Sequence, residues 1–79
     1  MERTVIIEKL RQILLDVLKH EKFEFKDDLT ASDVDGWDSL SHMAIITSIE
    51  EKFEIKFKLR ELNKLNNMQT LIELIQSKL

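Results

Sequence analysis

Asp38, Ser39 and His42 stand close together in 33-DVDGWDSLSHM-43, directly after the chain's only glycine and only tryptophan. Residues of these types serve three kinds of chemistry. As nucleophile, base and orienting acid they would form a compressed hydrolytic set, because positions three apart share a helix face. Against that, His42 falls toward the apolar side of its helix, at roughly 200° on a helical wheel, and no second segment offers an oxyanion hole. As metal ligands they fail on spacing. Placing Gly36 at the sixth position of a calcium loop puts Ala31 at the first ligand position and His42 where a bidentate Glu belongs. His20 and His42 lack cysteine company, so a transition-metal site has little support. The third chemistry is phosphate attachment. A serine directly after a helix N-cap exposes its hydroxyl beside the positive end of the helix dipole, where a phosphate ester gains roughly 0.3 to 1 kcal/mol at an exposed site.

That third reading requires a helix to begin at Ser39, and the apolar pattern predicts one over Ser39 to Phe53, with the Asp38 carboxylate capping its first turn. Elsewhere the spacing predicts a helix over Thr4 to Lys19, with Thr4 as its cap and Ile6, Ile7, Leu10, Ile13, Leu14 and Val17 on one side. From His20 to Asp38 the periodicity fails, and a long loop pinned by Phe23, Phe25, Leu29 and Val34 is expected. Leucines at 59, 62 and 65 predict a short helix over Leu59 to Leu65 tucked against the core. A last helix starts at Asn66 or Asn67 and aligns Met68, Leu71, Ile72, Ile75 and Leu79. The expected fold is all-α: three main helices, a short third one, and a long loop between the first and second.

Composition bounds what such a fold could do. With 79 residues, no proline and no repeat, the chain reads as a single domain, residues 1–79, with little room for a deep pocket beside its core. Absence of cysteine removes disulfides and thiolate metal sites and suits a reducing compartment, so a cytoplasmic location is expected. Apolar runs are too short for a signal peptide or a membrane span. A net charge of −3 argues against general nucleic-acid binding, which needs a basic face for phosphates.

The second helix carries two apolar faces. Ile45, Ile46, Ile49 and Phe53 fall within roughly 140° to 240° on the wheel and must face the core. Leu40, Met43, Ala44, Thr47 and Glu51 fall between roughly 300° and 40°, an exposed strip edged by acid. Such a strip is either ordinary surface or a docking site for another protein, and its position beside Ser39 favours docking.

With Asp38-Ser39-Leu40 at the head of the second helix, the chain resembles the acyl carrier proteins. The resemblance covers essentially its whole length: first helix, long loop, the DSL motif, a second helix ending in EEKF at 50 to 53, a short third helix and a last helix, all in family order. It implies an acyl-carrier-like four-helix bundle. It also implies that a phosphopantetheinyl transferase joins 4'-phosphopantetheine from coenzyme A to Ser39, and that acyl groups then ride as thioesters on the terminal thiol. Ser39 would thus be a substrate residue rather than a catalyst, and the protein a monomeric carrier meeting acyl-loading and acyl-processing enzymes transiently. Family partners dock on the second helix, which carries Asp38, Leu40, Met43, Glu50 and Glu51 over as partner-binding positions.

Several departures refine the resemblance. Fatty-acid-type carriers have acids where this chain has Ser41 and Ala44, and many relatives are acidic where 56-KFKLRELNK-64 is basic. The WDSL form looks more like discrete carriers of specialised acyl, polyketide or surface-polysaccharide pathways. Peptidyl carriers of amino acids share the chemistry but usually have a pair such as Gly-His before the serine, where Trp37-Asp38 stands here. A small helical interaction module without a prosthetic group is the alternative of another class.

Overall fold

Apolar residues at helical spacing decide which faces of this molecule turn inward. The structure, a computed structural model, describes residues 2–79 as α1 (Arg3–Leu18), a 3-10 turn (Ala31–Asp33), α2 (Ser39–Phe53), α3 (Leu59–Leu62) and α4 (Met68–Lys78), with no strand among the described residues. Ile6, Leu10, Ile13 and Leu14 of α1 meet Ile45, Ile46, Ile49 and Phe53 of α2, and Met68, Leu71, Ile72 and Ile75 of α4 close the core. Each such side chain, fully buried, contributes about 1.5 to 3 kcal/mol relative to exposure.

The long loop belongs to the core rather than skirting it. Leu29 and Val34 are buried, and Phe23, Phe25 and Trp37 pack half-buried against the same cluster. Its backbone is tied as well: the Leu29 carbonyl accepts the Met68 N–H and the Asp27 carbonyl accepts the Gln69 N–H, both at 2.8 Å. These bonds satisfy first-turn donors of α4 that would otherwise lack partners. The Arg11 guanidinium over the Phe25 ring and the Arg3–Asp27 ion pair hold the loop's outer side to α1.

Three expectations are corrected at the ends of elements. Thr4 is not a cap: α1 starts at Arg3, and the Glu2 carbonyl takes the Val5 and Ile6 N–H groups, leaving Thr4 inside the first turn. The third helix stops at Leu62 instead of Leu65. Beyond it the chain continues in tighter turns, with Lys64 N–H bonding to Glu61 O and Leu65 N–H to Leu62 O, a spacing of three that brings Leu62 and Leu65 half inside. Leu59, at the start of α3, points out and is 75% exposed. Leu79 lies one residue past α4 and is exposed, because the helix that would have aligned it has ended. Helix ends also lack the usual glycine: Lys19 after α1 and Glu54 after α2 adopt the left-handed conformation, at φ 66° and 57°.

Candidate functional site

Gly36 sets the entry to α2. Its φ of +83° lies at the third position of a turn closed by the Trp37 N–H on the Val34 carbonyl, a place where an L side chain is strained. Space is not the constraint, since an added Cβ would come no closer than 4.0 Å to Leu18. After this turn Asp38 is extended, and its carboxylate accepts the Leu40 and Ser41 N–H groups, each at 3.0 Å. The Ser41 N–H, then the Ser41 hydroxyl and the Leu40 N–H, hold the Asp38 carboxyl below the usual carboxylate range.

Two serines stand two residues apart here, and their hydroxyls differ completely. Ser41 Oγ accepts the Asp38 N–H at 2.8 Å and donates to the Gly36 carbonyl at 2.7 Å, completing a reciprocal cap with Asp38. Ser39, the first helical residue, is exposed, and among the described residues neither its hydroxyl nor its backbone N–H has a hydrogen-bond partner. A phosphodiester on Ser39 would face water and the open end of the helix without displacing any structural bond, so the residues present fit a covalently attached phosphate group.

His42 is half-buried on the side facing the loop. The Trp37 indole Nε1–H donates to its Nδ1 at 3.1 Å, and both rings line a cleft of about 60 Å³ with Leu29, Leu65, Met68 and Leu71. The Ser39, Asp38 and His42 side chains therefore do not form a triad: Asp38 is engaged with backbone N–H groups and His42 with the indole. Among the described residues no three metal-capable side chains converge.

The outer face of α2 matches the exposed strip expected from the wheel. Leu40 is 85% exposed and Met43 52%, with Ala44, Thr47 and Glu51 also open to water. Glu50 differs. It is half-buried, and its carboxylate accepts the Phe57 N–H at 2.9 Å, bracing the segment that follows α2. That brace has no sequence signature, because its partner lies seven residues on across a left-handed break. The Ser41 cap, by contrast, has a local signal: a hydroxyl three residues after an N-cap Asp. The basic flank of α3 is exposed at Lys56, Lys58, Arg60 and Lys64, while Glu61 pairs with Lys78 at 2.9 Å. The Lys58 backbone N–H and then Lys78 hold the Glu61 carboxyl below its ordinary range.

Comparison with known proteins places this arrangement. Residues 8–75 match the family described as the phosphopantetheine attachment site. Over 73 residues the chain is 32% identical to the acyl carrier proteins of Buchnera aphidicola subsp. Acyrthosiphon pisum strains 5A and Tuc7, covering 92% of this chain and 91% of each relative. It is also similar to the solution structure of holo acyl carrier protein from Geobacter metallireducens, with a TM-score of 0.83 and 39% identity over 91% of this chain and 83% of that one. The chain belongs to the acyl carrier proteins. It is a carrier rather than an enzyme, and 4'-phosphopantetheine is its attached group. No helix among the described residues is long and apolar enough to cross a membrane.

Proposed function

We propose that Ser39 is the residue that receives 4'-phosphopantetheine, and that the loaded protein carries acyl intermediates for a fatty-acyl, polyketide or other specialised acyl pathway. One observation carries the assignment: of the two serines at the head of α2, only Ser39 has an exposed, unpartnered hydroxyl. The attached group, when present, supplies a thiol for thioester chemistry that a chain without cysteine lacks. The chain's own residues prepare the place. Asp38 and Ser41 hold the first turn of α2 in shape, Ser39 offers its Oγ to the transferase, and the open N–H end of the helix favours the phosphate charge.

Docking is assigned to the exposed strip beside that serine. Leu40 and Met43 offer apolar contact to the transferase and to acyl-loading and acyl-processing enzymes, with Glu51 as the acid at the far edge and Asp38 at the near one. Glu50 takes part through its brace on Phe57, which fixes where the exposed strip ends. Brief, charge-steered encounters suit a carrier that must leave each enzyme. Basic residues at 56–64 and neutral Ser41 and Ala44 favour discrete pathways over primary fatty acid synthesis. The same reading takes residues 1–79 as one monomeric carrier domain working in the cytoplasm.

Peptide mapping of the transferase-treated protein tests the site. Fragmentation should put the added group on Ser39, and a modified Ser41 or Ser48 with Ser39 untouched would overturn the assignment.

A further inference from the structure

Trp37 and His42 flank Ser39, two residues before it and three after, and the fold joins them to each other. Their rings stack at 26° with 6.2 Å between centroids, and the indole Nε1–H points at His42 Nδ1. An indole nitrogen can only donate, so His42 must present a bare Nδ1, which belongs to the neutral imidazole with its proton on Nε2. Protonation there would set two N–H donors against each other at 3.1 Å, and the pair would have to part.

The cleft beside His42 offers no acidic partner among its lining residues. The cleft is lined by neutral residues: Leu29 and Ala31 from the loop, Asn66 and Asn67 before α4, Met68 and Leu71 within it. On its own helix the charged group one turn back is Asp38, whose carboxylate is turned to the Leu40 and Ser41 N–H groups. The early turns of a helix are also the positive end of its dipole.

We propose that His42 is a positioning residue for the attachment serine: in its neutral form it holds the Trp37 indole against the cleft, two residues before Ser39, and when protonated it releases that indole. This rests on Ser39 being the attachment point. The Asp38–Ser41 cap is made without the pair, and the turn before it is tied separately by Ser41 Oγ on the Gly36 carbonyl, the Trp37 N–H on the Val34 carbonyl and His20 on the Asp35 carbonyl, so release moves the indole while that turn and α2 stay in place. The transferase then meets a displaced indole beside the serine. The carrier's KM should rise with acidification while kcat at saturating carrier holds.

Trp37 is the only tryptophan, so its fluorescence reports on the pair directly. With the full apo chain, emission followed from pH 8 to pH 5, the span in which histidines change charge, should show one proton-linked transition. His42→Gln, which keeps an oxygen acceptor but cannot titrate, should abolish the transition, and His20→Gln should keep it. With a broad-specificity transferase, the ratio of carrier KM at pH 5.5 to that at pH 7.5 should be roughly three- to tenfold larger for wild type than for His42→Gln, the scale of one lost hydrogen bond. Taking the ratio of both carriers cancels the transferase's own pH profile. An emission transition that survives His42→Gln would overturn the proposal, as would equal KM ratios. Failure of the serine assignment reads differently: Ser39→Ala would still accept the group while the emission change continued to follow His42.

Discussion

The N-termini of α2 and α4 are built from the same parts and put to different uses. Each has a capping acceptor, Asp38 or Asn67, and a hydroxyl three residues on, Ser41 or Thr70, that bonds back to the cap. At α4 the remaining donors are consumed by the loop: Met68 N–H by Leu29 and Gln69 N–H by Asp27. At α2 the first residue is exposed, and among the described residues its N–H and hydroxyl have no partner. The start of α4 is thus a structural joint closed by the loop, whereas the start of α2 stays open at the serine proposed for attachment.

Replacing in turn the two serines at the head of α2 gives the sharpest break. Ser39→Ala should lose phosphopantetheine attachment completely while stability in urea changes by no more than about 0.5 kcal/mol, as for other surface substitutions. Ser41→Ala should do the opposite, retaining attachment and unfolding at lower denaturant, because it removes the reciprocal cap. Replacing both Leu40 and Met43 by Glu should raise the carrier KM of the transferase by about tenfold or more with helicity intact by circular dichroism. Loss of helicity would mean that those side chains hold the fold.

At the other helix start, Asn67→Ala should cost about 1 kcal/mol and leave the attachment rate alone. Its effect should include faster hydrogen exchange at Met68 and Gln69, whose N–H groups are held by the loop. Asp38→Ala has a pH signature. Because the folded carboxyl titrates below its unfolded value, its stabilisation is fully present above the unfolded pKa and disappears as pH falls through the folded one. The difference in Tm between wild type and Asp38→Ala should therefore be largest near neutrality and close in acid below the ordinary carboxylate range. The smallest effect concerns neither start: Glu54→Gly should stabilise by about 0.5 to 1 kcal/mol by relieving the left-handed conformation at the end of α2.

The difference between the two helix starts was only partly legible in the sequence. Asp38 and Asn67 announce themselves as caps, and the helical stripes of Ile and Leu predicted which faces are buried, because periodicity is a property of a single segment. What separates a closed start from an open one is the loop carbonyls of Asp27 and Leu29, and contacts forty residues apart leave no local pattern. The same reasoning explains Glu50, whose partner Phe57 lies beyond a turn, and the early end of α3, where leucines three apart fit a helix and a succession of tighter turns equally well. Thr4 misled for the opposite reason: threonine is a good cap by type, yet one more residue of helix was available before it.

The most direct test of the account is the intact mass of the protein and of Ser39→Ala after incubation with coenzyme A, magnesium and a broad-specificity phosphopantetheinyl transferase. The account predicts a single phosphopantetheine on the wild type and none on the variant. Addition to Ser39→Ala, or none to folded wild type with several transferases, would contradict it.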